Sequence, residues 1–353
     1  MRNVRLSQTL GAAALIGVMT IGAVQAADIH VLNWKGYGTD EPWATAAFEE
    51  KTGHKVIHDY FNSEQEMLTK LRTNPGTYDV VMINAAFTGQ AIEEGLIQPI
   101  DLGKISNTAG LAPEMAQSEL LNAGGAAYGI PWVWGLTSVA VNDKAFDKPP
   151  SSVEVMWDKV HAGKVVLRDD ALEAVQFAAL ATGQDINEIK DLDAVREKLA
   201  SLMPQIRAFW SSENDWNQMV AAGQLDVGTY WSGSAARAKT NFNLPVTFII
   251  PEEGAIGWLD GLSIPAGAKN VEGAHAFIDF MISPEFYVEW DQKVGAPVSA
   301  NLKAVEGLDE SAFNRAVLGD PQVANRIQFQ KPVSEEDRER YLKLWQELKA
   351  SNN

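Results

Sequence analysis

Apolar residues in the first hundred positions follow two different spacings. Runs of β-branched and apolar residues at 28–34 (DIHVLNW), 54–61 (HKVIHDYF) and 78–84 (YDVVMIN) predict three strands. Between them, the segments 39–53 and 63–71 carry apolar residues at helical spacing and begin with capping residues. Strands that alternate with helices usually pair in parallel, so this pattern predicts an α/β fold with a largely parallel sheet.

The pattern changes after position 128. The segment 128–142 (YGIPWVWGLTSVAVN) is extended, rich in aromatic residues and interrupted by Pro131 and Gly135. Further elements follow it: strands at 164–170, 225–235 and 246–254, helices at about 171–183, 191–202 and 234–240, an amphipathic helix at 270–283 and a charged helix at 334–351. The simplest organisation is two α/β halves joined by extended crossings near positions 134 and 258.

Residues 1–26 have the pattern of a secretory signal peptide. Arg2 and Arg5 precede an apolar run from Leu10 to Ala23, and small residues follow where a signal peptidase cleaves. The chain contains no cysteine, so we expect no lipid anchor and no disulfide after the signal. These features predict a soluble periplasmic protein that is not a lipoprotein. The remaining chain, about 325 residues, is longer than one core usually serves, which predicts two domains.

Composition narrows the classes of function. The formal net charge of −17 argues against nucleic acid and anionic membranes as partners, because both attract basic surfaces. The five histidines are scattered without metal-ligand spacing, and no phosphate loop, dinucleotide fingerprint or nucleophile elbow is present. We therefore expect neither a metal, a cofactor nor an enzyme activity, although paired carboxylates for glycoside hydrolysis cannot be recognised by spacing alone.

Rings and carboxylates recur at the ends of the predicted strands. They are Trp34, Trp231, the pair Trp258 and Asp260, and the acids Asp169, Asp170 and Glu173. Residues two apart in a strand share a face, so Trp258 and Asp260 are expected to face the same space. Ligands of open α/β sheets bind beyond the carboxyl ends of strands. A carboxylate beside a ring suits an ammonium group, through a charge-assisted hydrogen bond and a cation–π contact.

Motifs spread over nearly all of the predicted mature chain carry a family resemblance. In order, they are LNW, YDVV, IPWVWG, DDALE, YWSGSA and GWLDGLSIPAGAKN. With these motifs the chain resembles the spermidine/putrescine-binding proteins of bacterial ABC transporters. The resemblance implies a periplasmic binding protein fold with two discontinuous domains, 27–133 plus 259–302 and 134–258 plus 303–353. It also implies a ligand in the cleft between them, hinge closure on binding, and an inner-membrane ABC permease as partner.

The resemblance also implies roles for individual residues. Trp34 and Tyr37 form a wall of the cleft, Asp170 and Glu173 face an amine, Trp231 and Trp258 clamp a methylene chain, and Asp260 receives an ammonium. A glutamine near the end of the chain reaches the ligand; Gln328 and Gln330 both qualify, and Gln328 is the one included in the predicted set. The predicted ligand-binding set is completed by Lys35, Asn84 and Arg237.

Several residues depart from the family pattern. Gly36 stands where family members carry an acid, Lys35 precedes it, and Ala86 and Phe87 replace paired tyrosines. Arg237 and Arg168 replace apolar and small polar residues. A guanidinium can hold a carboxylate through two hydrogen bonds, so Arg237 is a candidate partner for an anionic ligand group. The alternative is that both arginines pair with nearby acids of the protein.

These departures give a ranked set of hypotheses. The first is a monomeric transport receptor for a small linear ligand with an amine at one end and a carboxylate at the other, such as 4-aminobutyrate. The second is a receptor for a diamine or polyamine such as putrescine or spermidine. A carbohydrate-binding protein with tryptophan platforms and a hydrolase with paired acids are the alternatives from other classes.

Overall fold

The computed structural model describes residues 27–310, 312–315 and 325–351. The predicted signal peptide, 1–26, lies outside the described residues. The strands are β1 (Ile29–Asn33), β2 (Val56–Tyr60), β3 (Val80–Asn84), β4 (Ile97–Gln98), β5 (Asn122–Ala123), β6 (Ala126–Ala127), β7 (Ile130–Asn142), β8 (Val165–Arg168), β9 (Ile206–Trp210), β10 (Val227–Trp231), β11 (Val246–Ile249), β12 (Ala255–Pro265), β13 (Val298–Ser299) and β14 (Ile327–Phe329).

The α-helices lie between and after these strands. They are α1 (Pro42–Thr52), α2 (Glu64–Thr73), α3 (Ala85–Glu93), α4 (Pro113–Ala116), α5 (Ala171–Ala181), α6 (Leu192–Leu202), α7 (Glu213–Ala221), α8 (Ser232–Phe242), α9 (Val271–Met281), α10 (Pro284–Val294), α11 (Leu302–Glu306) and α12 (Glu335–Ser351). Among the described helices, none is both long and apolar enough to cross a membrane.

Most of the described strands belong to one 12-stranded sheet, whose main path has the order β2-β1-β3-β12-β7-β10-β8-β9. The other four strands pair with its middle: β11 and β13 with β7, and β4 and β14 with β12. Pairing is parallel among β2, β1 and β3 and among β10, β8 and β9. The long strands β7 and β12 pair antiparallel with β10 and β3, respectively, and with each other, with Trp258 opposite Gly135. The extended crossings predicted near 134 and 258 are therefore two neighbouring strands in the middle of the sheet. The expectation of a largely parallel sheet holds only for its two halves.

Buried apolar side chains form three clusters. The largest cluster lies in the half of the molecule that contains β1, β3 and part of β12, and it includes residues of α9 and α10. The other two lie on the opposite half, one with α5, α6 and α12 and one with α7 and α8. The strands β7 and β12 contribute residues to more than one cluster, so they connect the two halves. The domain boundaries drawn from the sequence stay a prediction.

Local sequence signals explain where many of these elements begin and end. Gly53 ends α1 in the left-handed conformation, with φ of 75°, as its position after the apolar stripe predicts. Ser63 caps α2 by accepting a hydrogen bond from the Glu66 N–H. The helices α7 and α10, like the short helices α4 and α11, were missing from the sequence prediction. The beginning of α7 carries a capping box formed by Ser212 and Asp215, which is the signal that would have located it.

Candidate ligand-binding site

A cleft of about 540 Å³ lies where the ends of β1, β3, β8 and β10 meet the middle of β12. Its volume falls within the range typical of small-molecule sites. Every predicted site residue except Gln328 lines it: Trp34, Lys35, Tyr37, Asn84, Asp170, Glu173, Trp231, Arg237, Trp258 and Asp260. Because they come from both halves of the sheet, the cleft can hold one ligand between the halves.

Asp260 is a buried carboxylate held by two neutral donors. The Tyr37 hydroxyl donates to its Oδ2 at 2.8 Å, and the Asn84 side-chain amide donates to its Oδ1 at 3.1 Å. The register of β12 against β3 puts Asp260 directly opposite Asn84, which explains the second contact. Burial raises the pKa of Asp260 to about 6, against the two hydrogen bonds that lower it.

Glu64, at the beginning of α2, adds a second carboxylate to this part of the cleft. Its Oε2 has no hydrogen-bond partner among the described residues, although little of that atom is accessible to solvent. Burial and the charge of nearby Asp260 raise the pKa of Glu64 well above its usual value. Sequence reasoning missed Glu64 because an acid in the first turn of a helix is ordinary. We call Asp260, Glu64, Tyr37 and Asn84 the Asp260 side.

Glu173 occupies the other half of the cleft and already has a cation. The Nη1 of Arg168 donates to its Oε2 at 2.8 Å, and the Trp231 Nε1 and Thr137 Oγ1 approach the same oxygen at 3.4 Å. The guanidinium carbon of Arg168 also lies 4.6 Å from the centre of the Trp231 ring. Burial raises the pKa of Glu173, while Arg168 opposes the shift. We call Glu173, Arg168, Trp231 and Thr137 the Glu173 side.

Arg237 is also committed to protein partners. Its guanidinium donates to both carboxylate oxygens of Glu213, at 3.1 and 2.6 Å, and to the Gly295 carbonyl oxygen at 3.1 Å. A further hydrogen bond reaches the Ser234 hydroxyl at 2.9 Å. The arrangement therefore matches the alternative interpretation, in which both arginines pair with nearby acids, rather than an Arg237 available for a ligand carboxylate.

Trp258 presents a ring beside Asp260, as the spacing of two residues predicts. Both side chains line the cleft from β12. A Cβ atom at Gly135, on the neighbouring strand, would lie only 2.3 Å from the Trp258 ring, so the glycine makes room for it. Asp170 is half-buried and caps α5 by accepting a hydrogen bond from the Glu173 N–H at 2.9 Å. Its carboxylate forms no ion pair within the described part of the chain.

Comparison with known proteins identifies the family. Residues 43–317 match the model of the family described as bacterial extracellular solute-binding protein. The chain belongs to this family. The spermidine/putrescine-binding periplasmic protein of Salmonella typhimurium is 33% identical over 344 residues, which cover 95% of this chain and 96% of that protein. The protein of the same name from Escherichia coli K12 is 33% identical and covers 97% of both chains.

Solved structures share the fold of this solute-binding protein. A putative spermidine/putrescine ABC transporter protein from Listeria monocytogenes matches with a TM-score of 0.78 and 27% identity, covering 91% of this chain and 98% of that one. A spermidine/putrescine substrate-binding protein from Streptococcus pneumoniae gives a TM-score of 0.80 at 24% identity, covering 93% and 100%. These findings confirm the predicted family, its periplasmic binding protein fold and a solute-binding role in transport.

One predicted residue of this solute-binding protein is not in the cleft. Gln328 lies on β14 and accepts a hydrogen bond from the Ile186 N–H at 2.9 Å, away from the cleft lining. Gln330 lines the cleft instead, and its side-chain amide donates to Gln176 at 2.6 Å. Of the two candidates, Gln330 is therefore the one that lines the cleft. β14 ends at Phe329, so the alternation of faces along a strand does not extend to Gln330.

The cleft offers nothing that resembles a metal centre. Within 27–310, 312–315 and 325–351, no group of three or more histidine, cysteine, aspartate or glutamate side chains is arranged to hold a metal ion. Of the bases that line the cleft in this part of the chain, only Lys35 forms no ion pair, and it is exposed. Among the described residues of the cleft, three acids form no ion pair (Glu64, Asp170 and Asp260), against one base (Lys35).

Proposed function

We propose that this solute-binding protein is the periplasmic capture component of an ABC importer and that its ligand is a short linear diamine or polyamine. The observation that carries the proposal is the Asp260 side. There, two carboxylates, Asp260 and Glu64, face the cleft without an ion pair to any described residue. Relatives that are 33% identical over nearly the whole chain are named spermidine/putrescine-binding, which supports the same ligand class.

The cleft provides what an alkyl ammonium needs. A ligand ammonium beside Asp260 forms a charge-assisted hydrogen bond and supplies a counter-ion for this carboxylate. The methylene chain then packs against the rings of Trp258 and Trp34, which line the same cleft. The second amine meets the negative charge of Asp170, which likewise forms no ion pair to a described residue. Glu64 adds a second carboxyl group to the same part of the cleft.

An ω-amino acid fits this cleft less well. Its carboxylate needs a cation, but the guanidinium of Arg237 already donates to Glu213, Ser234 and Gly295. The guanidinium of Arg168 is held by Glu173. An anion placed near Asp260 and Glu64 is also repelled. We therefore rank 4-aminobutyrate, the first hypothesis from the sequence, below a diamine.

Ligand capture would involve closure of the two halves about β7 and β12, the strands that join their cores. Closure removes water from the cleft and strengthens each charged contact.

We infer that the closed form docks on an inner-membrane ABC permease. We also infer that the mature protein is a monomer that begins near Ala27, carries no lipid anchor and binds no nucleic acid.

A calorimetric comparison of four ligands tests this function. Purified mature protein is titrated with putrescine, spermidine, 4-aminobutyrate and maltose at one pH and salt concentration. We expect putrescine to bind at least tenfold more tightly than 4-aminobutyrate, and maltose to give no measurable heat. Tighter binding of 4-aminobutyrate, or binding of maltose alone, would overturn the proposal. A circular dichroism spectrum typical of an α/β protein excludes misfolding as the cause of a negative result.

A further inference from the structure

We propose that Arg168 sets the length of the ligand. Its guanidinium fills a cation position formed by Glu173 and Trp231, so the cleft accepts a diamine and disfavours a triamine whose additional ammonium would need that position. The inference rests on the proposed function, because it assumes that amines are the ligands.

Arg168 makes the contacts that a ligand ammonium would make there. It donates to the Glu173 carboxylate at 2.8 Å and lies over the Trp231 ring at 4.6 Å. A carboxylate and a ring face together form an amine-binding position. Arg168 therefore occupies a position beside Glu173 and Trp231 that could otherwise bind a ligand ammonium.

The backbone of Arg168 is anchored at the edge of the cleft. Arg168 is the last residue of β8, and its backbone N–H donates to the Thr229 hydroxyl at 3.2 Å. Its side chain is about one-fifth exposed, at 22%. A second cation entering the same position would be repelled by the guanidinium and would lose the ring face that it covers.

One carboxylate oxygen of Glu173 is available for a further hydrogen bond. Glu173 is only 5% exposed, and its Oε1 has no hydrogen-bond partner among the described residues. Without Arg168, the carboxylate would be buried with no cation, which destabilises the ligand-free protein. A ligand ammonium could then replace the guanidinium, so a triamine should restore the stability that the substitution removes.

Titration of putrescine and spermidine into the parent protein, Arg168→Ala and Arg168→Gln tests the proposal. The glutamine variant keeps a hydrogen-bond donor toward Glu173 but loses the charge. Arg196→Ala is the matched control, because it removes the same charge from an exposed pair with Glu347 outside the cleft. We expect the parent and the control to bind putrescine at least tenfold more tightly than spermidine. Both Arg168 variants should shift this ratio at least tenfold toward spermidine.

Thermal unfolding supplies a second readout. Spermidine should raise the unfolding midpoint of Arg168→Ala more than that of the parent, because its ammonium replaces the lost guanidinium. A parent that binds spermidine as tightly as putrescine overturns the inference without any variant. An unchanged ratio in a folded Arg168 variant that binds putrescine also overturns it but leaves the proposed function intact. Loss of all amine binding by the parent overturns both.

Discussion

The two sides of the cleft each bury one carboxylate to nearly the same extent. Asp260 is 6% exposed and Glu173 is 5% exposed. Asp260 receives hydrogen bonds only from neutral groups, whereas Glu173 is paired with the guanidinium of Arg168. Burial therefore does not distinguish the carboxylate that we propose for ligand binding from the one that is paired within the protein. The ion pair with Arg168 distinguishes Glu173 from Asp260.

This difference relates stability to function. A buried carboxylate without a counter-ion destabilises the ligand-free protein, whereas a paired one costs less. Under the proposed function, a ligand ammonium beside Asp260 would remove this cost, and the recovered free energy would contribute to affinity. On the Glu173 side the protein has compensated the charge itself. Selection for binding often retains such locally unfavourable groups.

Substitution of Asp260 should produce the largest effect on binding. Asp260→Asn keeps the shape but removes the charge, and we expect putrescine affinity to fall by about 2 to 4 kcal/mol, as for one partner of a buried charge pair. Isothermal titration calorimetry measures the change. Asp169→Asn is the control, because the Oδ1 of Asp169 is held by Trp345 and Lys349. Equal losses in the two variants would show that the unpaired carboxylate has no special role.

Removing Arg237 should affect stability rather than diamine binding. Arg237→Ala leaves Glu213 and the Gly295 carbonyl without their donor, and we expect the free energy of unfolding to fall by about 1 to 3 kcal/mol. Urea denaturation measures this, and Arg196→Ala, in an exposed pair, should cost less than about 1 kcal/mol. Putrescine affinity should change less than threefold. Selective weakening of 4-aminobutyrate would instead favour the ω-amino acid hypothesis.

The pH dependence should follow the Asp260 side. Because the pKa of Asp260 is about 6 in the ligand-free protein, its carboxylate is mostly ionised at pH 7 and mostly protonated at pH 5. Putrescine affinity should therefore fall roughly tenfold between these values. An affinity that stays constant from pH 7 to pH 5 would place the ammonium elsewhere.

Stability should move in the opposite direction with pH. The folded protein keeps the Asp260 proton to a higher pH than the unfolded chain, whose carboxyl titrates near its ordinary value of 3.8. As pH rises from about 4 to 6, the contribution of Asp260 to stability is lost. Asp260→Asn should flatten this part of the stability profile of the ligand-free protein, as measured by urea unfolding at each pH. An identical profile in parent and variant would contradict the raised pKa.

The smallest effects should separate the two glutamines. Gln330→Ala should lower putrescine affinity by about 1 kcal/mol, the usual contribution of one hydrogen bond. Gln328→Ala should leave affinity unchanged and lower stability instead, because its side chain accepts from the Ile186 N–H. Paired calorimetry and urea unfolding measure both quantities. The reverse result would assign the ligand contact to Gln328 instead.

The sequence was most informative where the spacing along one element decides the outcome. Trp258 and Asp260 lie on one strand, so their shared face followed from two-residue alternation. The alternating strands and helices likewise predicted the α/β class. The match of residues 43–317 to the solute-binding family then made the rest of the fold predictable.

The sequence was less informative where distant elements meet. Glu64 begins a helix and becomes a cleft residue only because α2 packs beside the end of β3, near Asp260. The pair of Arg168 and Glu173 depends on the turn between β8 and α5, and that of Arg237 and Glu213 on the contact of two helices. Which acid is already paired with a cation is a property of these three-dimensional contacts, so it could not be predicted from the sequence.

A crystal structure of the protein with putrescine tests the difference between the two sides most directly. We expect one ammonium nitrogen within hydrogen-bond distance of the Asp260 carboxylate, with Trp258 against the methylene chain. Arg168 should remain paired with Glu173 over the Trp231 ring. A complex in which no amine contacts Asp260, or in which Arg168 has left Glu173 and an amine has taken its position, would contradict this assignment.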